Sequence, residues 1–277
     1  MSEVAAALQR VRERIDAAAV RAGRDPAGVT LVAVSKTVAV RLIREAIDAG
    51  QGDFGENRVH EAAAKYKELG TPEGALRPRV EEPEGALRPR AEERVRWHFV
   101  GRLQRNKVKS LVGWVDLIHS LDRPALAAEI ANRALSLDAR QEVLAEVNVS
   151  GDPGRGGVAP EDLASLLESA STLAGIRVSG LMVMAPVVDT PEAARPYFRR
   201  VARLGDEMAA RFPELSIHHL SMGMSQDYEI AVEEGATLVR VGEAIFGRRS
   251  GRVIEEKHRA EEPVERDVES ASNVRGR

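Results

Sequence analysis

The stretch TLVAVSK, residues 30–36, is a run of apolar and β-branched residues that ends in a lysine. Gly28 precedes it and a helical pattern opens at Thr37, so the run predicts a buried parallel strand. Lys36 would then emerge at the carboxyl end of that strand, where ligands and chemistry collect in α/β folds. Most lysines in such a place are merely solvated. Apolar neighbours that desolvate the amine would instead favour its neutral, imine-forming state.

The same pattern of strand followed by helix recurs along the chain. Strand-like runs are found at residues 30–35, 53–55, 96–100, 116–120, 142–149, 178–184, 217–221 and 237–241. Eight such units in a chain of this length predict an α/β protein with a (β/α)8 TIM barrel. A doubly wound open sheet is the alternative, although it usually has fewer strands. The first 22 residues add an amphipathic N-terminal helix, and Thr190 and Ser225 are placed to cap later helices.

Composition narrows the class of protein. The chain has 277 residues, a net charge of −3 and no cysteine, which excludes disulfides and thiolate chemistry and gives no basic field for nucleic acid. No apolar run approaches the roughly 18 residues that span a bilayer. We therefore expect a cytoplasmic protein that binds neither nucleic acid nor membrane.

Two segments lie outside the barrel pattern. PEGALRPR at residues 72–79 recurs at residues 83–90, a duplication too short to form a solenoid. We expect residues 71–94 to form a flexible loop insertion within a barrel domain of residues 1–250. The charged stretch 251–277 is poor in large apolar residues and is expected to be a disordered tail.

Glycine-rich turns follow the last two predicted strands. SMGMS at residues 221–225 and VGEAIFG at residues 241–247 each place a glycine where a strand gives way to a helix. The loops after strands seven and eight commonly bind phosphate in TIM barrels, and exposed backbone N–H groups favour an anion. The alternative is that Gly223 and Gly242 only make tight turns.

Several polar residues in or after apolar strands admit two interpretations. Arg240 lies inside an apolar strand, so its guanidinium needs either a carboxylate such as Glu146 or a ligand. His98 and Asn148 pose the same question, and a histidine in a strand is more often a satisfied core residue. Asn57 could be the N-cap of the second barrel helix. An amine on strand one and a phosphate cradle at strands seven and eight together fit a phosphorylated aldehyde held as an imine.

Seven motifs, in order, are similar to the YggS/PROSC family of pyridoxal 5′-phosphate (PLP) homeostasis proteins. They span about residues 5–249 and are AVSKT (33–37), FGEN (54–57), WHFVGRLQRNK (97–107), HSLD (119–122), GLM (180–182), LSMGMSQD (220–227) and VRVGEAIFG (239–247). That family resembles the N-terminal barrel of alanine racemase, so the resemblance implies PLP as cofactor.

The resemblance also implies roles for individual residues. Lys36 resembles the Schiff-base lysine, and Asn57 a residue that lines the cofactor. Ser221, with the backbone at Gly242 and Glu243, resembles the phosphate site, and Arg240 the partner of the pyridine nitrogen. Arg155 stands where the family often has a lysine, which leaves no second amine there.

These roles favour a carrier over a catalyst. A permanently charged arginine at the pyridine nitrogen disfavours its protonation and weakens the ring as an electron sink. The three tyrosines all fall in predicted helices, and no second acid/base domain is expected after the eighth unit. We expect a monomeric PLP carrier or buffer, without robust turnover, that supplies PLP-dependent apo-enzymes. The alternatives are a low-activity PLP enzyme of the racemase type and a cofactor-free, aldolase-like barrel.

Overall fold

In the part of the chain that the structure describes, residues 1–69 and 95–247 of a computed structural model, eight parallel strands form a closed barrel. Each strand pairs with the next, and the eighth pairs with the first. The strands are β1 (Thr30–Val34), β2 (Asp53–Glu56), β3 (Arg96–Phe99), β4 (Leu117–Leu121), β5 (Gln141–Val147), β6 (Ile176–Val183), β7 (His219–Ser221) and β8 (Leu238–Val241). The predicted TIM barrel is confirmed, and the open sheet is excluded because β8 pairs with β1.

Helices surround the barrel in the order that the sequence predicts. They are α1 (Glu3–Arg21), α2 (Val40–Asp48), α3 (Val59–Leu69), α4 (Pro124–Leu135), α5 (Leu163–Ser171), α6 (Arg195–Arg211), α7 (Tyr228–Glu233) and α8 (Glu243–Phe246). The predicted extra N-terminal helix is α1. After β3 the chain forms a 3₁₀ helix, Arg105–Ser110, in place of an α-helix. No helix among the described residues is long and apolar enough to cross a membrane.

Two helix starts differ from the prediction. Ser225 does not cap α7, since Asp227 occupies the N-cap and Ser225 bonds to the backbone after β8. Thr190 precedes a 3₁₀ turn, Pro191–Ala194, and makes no side-chain cap bond. The predictions for residues 71–94 and 251–277 lie outside the described residues, as does the end of the predicted 1–250 domain.

The buried apolar residues form two separate clusters. The larger one lies between the strands and the surrounding helices and includes Phe54 and Phe198. The smaller one fills the barrel interior and consists of Val32, Leu117, Leu144, Met182 and Leu238. Successive residues of a strand point to opposite faces. Arg240 therefore shares with Leu238 the side of β8 that faces the barrel axis.

Strand register brings the predicted site residues to one end of the barrel. Val32 pairs with Arg240 on β8, and Val34 pairs with Gly55 on β2. Lys36, two residues beyond β1, therefore lies between the ends of β2 and β8. Ligands collect at this carboxyl end of the strands in TIM barrels.

Candidate functional site

The turn that carries Lys36 is held on both sides by one buried ion-pair cluster. Lys65 on α3 donates from Nζ to the backbone oxygen of Ser35 at 2.5 Å. The same ammonium donates to Glu56 at 2.8 Å and to Glu61 at 2.6 Å. Glu61 also accepts from the backbone N–H of Thr37. The residues before and after Lys36 are thus fixed by a single ammonium and its two carboxylates.

The backbone after Lys36 is unusual. Thr37 has a φ of +62°, a left-handed conformation that non-glycine residues seldom adopt. Ser35 adds a second bond to the cluster, since its hydroxyl donates to Glu56 at 2.7 Å. Burial raises the pKa of Glu56, and the charge of Lys65 opposes that rise. Sequence reasoning missed Glu56, Glu61 and Lys65. The Glu in the FGEN motif was the available signal.

Asn57 offers an unused acceptor at the end of β2. Its Oδ1 atom is buried and has no hydrogen-bond partner among the described residues. The N-cap interpretation fails because α3 begins only at Val59. Gly101 packs so closely that a Cβ there would lie 2.2 Å from the Asn57 carbonyl oxygen. A buried acceptor without a partner is costly, so a ligand that donates to it would stabilise the site.

Arg240 is held inside the barrel without a direct ion pair to a described carboxylate. It is 5% exposed and donates to Ser221 Oγ at 2.6 Å and to the Val183 carbonyl at 2.8 Å. The alternative of a salt bridge to Glu146 is not realised among the described ion pairs. Burial lowers the pKa of Arg240 to about 10, while the charges of Asp227 and Glu146 raise it. At neutral pH the guanidinium is therefore still a cation.

Ser221 and Ser225 lie in different surroundings. Ser221 is fully buried, and its hydroxyl lies 2.9 Å from His119 Nδ1 in addition to its contact with Arg240. Ser225 is half-buried, and its Oγ accepts from the backbone N–H groups of Gly242 and Ala244 at 3.3 and 3.4 Å. Ser225 therefore bonds to the loop after β8, whereas Ser221 bonds to side chains inside the barrel.

The loop after β8 lies against the turn that carries Lys36. A Cβ on Gly242 would lie 2.9 Å from the carbonyl oxygen of Val34, so the two backbones are in close contact. Glu243 follows at the start of α8 with an exposed side chain, so its backbone is the part that can face a ligand. Gly223 has a φ of +89°, and a Cβ there would lie 2.6 Å from Ala231. Both loops therefore require glycine for the backbone path itself.

His98 and Asn148 both have hydrogen-bond partners within the protein. His98 Nε2 lies 2.9 Å from Asp53 Oδ1, and its Nδ1 lies 2.9 Å from His119 Nε2. Asn148 closes the loop after β5 through bonds to Ser150 and Asp152. Arg155, in the same loop, donates to the carbonyl groups at the end of β6.

A second buried carboxylate, Glu146, lies on β5. Burial raises its pKa to about 7, and the charge of Asp122 adds to that rise while Arg240 and Arg102 oppose it. The residue is 5% exposed. Its charge state therefore changes near neutral pH, inside the same barrel as Arg240.

A cationic cleft of about 1240 Å³ adjoins Asn57 on the side of β3. Its basic lining residues are Arg58, His60, Lys67, Arg102, Arg105, Lys107 and Arg123. Clustered positive charge raises the local concentration of anions, so this side of the barrel mouth favours anionic ligands.

Comparison with known proteins agrees with this geometry. The family model described as "Alanine racemase, N-terminal domain" matches residues 7–250. A pyridoxal phosphate homeostasis protein of Aquifex aeolicus is 45% identical over 242 residues, which cover 87% of this chain and 96% of that protein. The chain belongs to the family of pyridoxal phosphate homeostasis proteins. A relative of the same name from Pseudomonas aeruginosa is 38% identical over 249 residues, covering 90% of this chain and 97% of its own.

Solved structures extend the comparison. PipY of Synechococcus elongatus, solved with PLP bound, is 36% identical with a TM-score of 0.69 and covers 86% of this chain and 100% of its own. An alanine racemase of Clostridium difficile is 14% identical with a TM-score of 0.54 and covers 83% of this chain and 57% of its own. The second likeness concerns the fold alone. Both structures share the barrel fold of this chain.

Proposed function

We propose that this chain binds PLP covalently, through an imine to Lys36, and serves intracellular PLP homeostasis as a carrier or buffer. The observation that carries the proposal is the turn of Lys36, fixed by Lys65 and its carboxylates at the mouth of the barrel. Homologues named for PLP homeostasis and a relative with PLP bound support the choice of cofactor. When bound, PLP supplies an aldehyde that reversibly captures primary amines.

The residues present fit the polar ends of such a cofactor. At the phosphate end we assign Ser225 and the backbone N–H groups of Gly242 and Glu243, next to Lys36. Gly242 supports this because a side chain there would meet the backbone of Val34. Asn57 supports a polar ligand at this end of the barrel, since its buried Oδ1 atom can accept from a donor on the ligand. The family resemblance suggests Ser221 for the phosphate. Its hydroxyl bonds to Arg240 and lies against His119, so we assign Ser225 in its place.

Arg240 is the residue that argues against efficient catalysis. We assign its guanidinium to the pyridine nitrogen, as the family resemblance implies. A cation that faces this nitrogen disfavours its protonation, and an unprotonated ring is a weak electron sink. The three tyrosines, Tyr66, Tyr197 and Tyr228, lie on α3, α6 and α7 and give no evident second base at the barrel mouth. Retention and release of the cofactor are therefore the proposed activity.

The family model gives one observation in favour of a second function. Its description names alanine racemase, so a low-activity racemase-type enzyme is the alternative. Steady turnover of an amino acid that depends on Lys36 would favour this alternative over a carrier.

The test is a PLP titration of the wild type, Lys36→Ala and Arg240→Gln, with Lys109→Ala as a lysine control outside the site. The wild type and the control should develop an imine absorption band that borohydride abolishes, and the added mass should map to Lys36. Arg240→Gln should bind PLP more weakly. Added mass on another lysine, or an unchanged band in Lys36→Ala, would contradict the assignment.

The same samples distinguish the other classes. Each should be challenged with a panel of amino acids for turnover, and with sugar phosphates and borohydride in the absence of PLP. Reductive trapping that needs a sugar phosphate and no PLP would favour the aldolase-like alternative. A carrier should pass PLP to a PLP-dependent apo-enzyme and restore its activity. We place this role in the cytoplasm, with the protein acting as a monomer, which sedimentation at micromolar concentration would check.

A further inference from the structure

Polar side chains form a continuous hydrogen-bonded chain through the barrel interior, from the mouth to the opposite end. It begins at Arg240, whose guanidinium donates to Ser221 Oγ at 2.6 Å. Ser221 Oγ lies 2.9 Å from His119 Nδ1, and His119 Nε2 lies 2.9 Å from His98 Nδ1. His98 Nε2 lies 2.9 Å from Asp53 Oδ1, at the first residue of β2.

The far end of this chain carries a fixed negative charge. Arg96 donates to Asp53 Oδ2 at 2.7 Å, which leaves Oδ1 for His98. Burial acts to raise the pKa of Asp53, but the hydrogen bonds from His98 and Arg96 and the charge of Arg96 outweigh it and hold that pKa below its ordinary value. Asp53 is therefore an ionised acceptor at neutral pH. An ionised carboxylate can only accept, so His98 must donate to it from Nε2.

The near end of the chain is fixed by charge of the other sign. A guanidinium can only donate, so Ser221 must accept from Arg240. The single hydroxyl hydrogen of Ser221 then points to His119 Nδ1. Burial, together with the charge of Arg240, holds the pKa of His119 well below its ordinary value, so His119 is neutral. A neutral imidazole that accepts at Nδ1 carries its hydrogen at Nε2 and donates to His98.

These constraints meet in one arrangement that satisfies every donor and acceptor. The donors run from Arg240 through Ser221, His119 and His98 to Asp53, each group donating to the next. In the reverse direction His119 would carry its hydrogen at Nδ1, so its Nε2 would be an acceptor that faces another acceptor, Nδ1 of a singly protonated His98. The Ser221 hydroxyl hydrogen would also lose His119 as its acceptor. A buried polar group without a hydrogen-bond partner is costly, so the forward direction is preferred.

We propose that His119, His98 and Asp53 are positioning residues that fix Ser221 as an acceptor and so hold the Arg240 guanidinium in its orientation toward the cofactor ring. The proposal rests on the assignment of Arg240 to the pyridine nitrogen. None of His119, His98 and Asp53 needs to touch the cofactor. They act on it through the direction of four successive hydrogen bonds.

The first test reads the direction of the chain in the protein without PLP. Selective ¹⁵N labelling of histidine and long-range ¹H–¹⁵N correlation identify the protonated nitrogen of each ring. His119 should carry its hydrogen at Nε2, and His98 should do the same. Protonation of His119 at Nδ1 would overturn the proposal, whatever the protein does with PLP.

The second test separates positioning from packing. Binding of PLP is compared with binding of an analogue in which C–H replaces the ring nitrogen, in the wild type and in His119→Leu. The control is Ser120→Ala, on the same strand, because Ser120 is equally buried and its hydroxyl has no partner among the described residues. The wild type and the control should prefer PLP by about tenfold, and His119→Leu should lose most of that preference.

The outcomes identify which claim fails. If His119→Leu binds both ligands more weakly by the same factor and keeps the preference, the residue acts through packing and the proposal is wrong. If the wild type itself has no preference, the contact between Arg240 and the ring nitrogen fails instead. If His119→Leu does not fold, the tautomers of the wild type still decide the question.

Discussion

Lys65 is the residue whose surroundings explain most about the position of Lys36. The residue is 6% exposed, and its ammonium bonds to Ser35, Glu56 and Glu61 at once. A buried ion pair adds little net stability by itself, but removal of one partner leaves an uncompensated buried charge. The cluster therefore makes the geometry of the turn sensitive to any change in its members.

The first prediction concerns this cluster. Lys65→Met should lower the free energy of unfolding by about 3–5 kcal/mol, because it leaves the Glu56 carboxylate buried without its cation. Urea denaturation measures the change. Lys67→Met, at an exposed position of the same helix, is the matched control and should have little effect. Equal losses in the two variants would contradict the role of the buried pair.

The second prediction follows from the pKa of Glu146. Its value of about 7 in the folded protein lies above its ordinary value of 4.5, so the folded state holds the proton more tightly than the unfolded state. Stability contributed by the protonated form is therefore lost as pH rises through this window. The loss should reach about 3 kcal/mol once both states are ionised.

Glu146→Gln, which keeps the shape and removes the titration, measures this effect. In protein freed of PLP, the free energy of unfolding of the variant minus that of the wild type should increase as pH rises from about 4 to about 8. A constant difference between the two across that range would refute the raised pKa.

At the scale of elements, α1 contacts α7 through bonds of two kinds. Arg21 pairs with Glu233 at 2.7 Å, but half of its side chain is exposed. Arg24, just after α1, donates to the backbone carbonyl groups of Val232 and Ala236 at 2.5 and 2.9 Å in a partly buried place. Exposed ion pairs contribute little, whereas a charged donor that satisfies buried carbonyl groups contributes more.

The third prediction compares these two arginines. Arg24→Ala should lower the free energy of unfolding by about 2 kcal/mol, and the loss in Arg21→Ala should be clearly smaller. Thermal or urea unfolding at low and moderate salt measures both. Only the Arg21 effect should depend clearly on salt, because exposed charges are screened. The opposite order of losses would mean that the ion pairs dominate the docking of α1.

The order of the strands and helices was the part of the fold that the spacing of apolar residues could predict. The strands and helices follow from local alternation of apolar residues, and eight units imply closure. Lengths were less accurate, as with β7, which spans only His219–Ser221, because strand ends depend on neighbours in the sheet. The 3₁₀ helix after β3 was not predicted, since its apolar residues Val108 and Leu111 give too short a signal.

The positions of Lys36 and Asn57 were predictable because each residue comes just after the end of a strand. The role of a residue was not predictable where its partner is distant in sequence. Ser221 bonds to His119, 102 residues away, so no local pattern could separate its role from that of Ser225. The same holds for Lys65, whose four-residue spacing from Glu61 resembles an ordinary surface pair.

For the whole molecule, closure of the barrel joins the first strand to the last. β1 pairs with β8 over Thr30–Leu238 to Ala33–Val241, and Arg14 and Arg21 of α1 pair with Glu229 and Glu233 of α7. Contacts between residues about 200 positions apart are slow to form, because their loop must close first.

The fourth prediction is that a chain truncated after Gly235 lacks the protease resistance of the intact barrel.

The pairing of β1 with β8 also has a consequence for synthesis on the ribosome. At about 5–20 residues per second, β1 emerges on the order of ten seconds or more before its partner exists. Throughout that interval the backbone N–H and C=O groups that later pair with β8 are open to other chains, and a molecular chaperone has the opportunity to bind the apolar side chains of β1. Stalled nascent chains of increasing length should become protease-resistant only once β8 has left the exit tunnel.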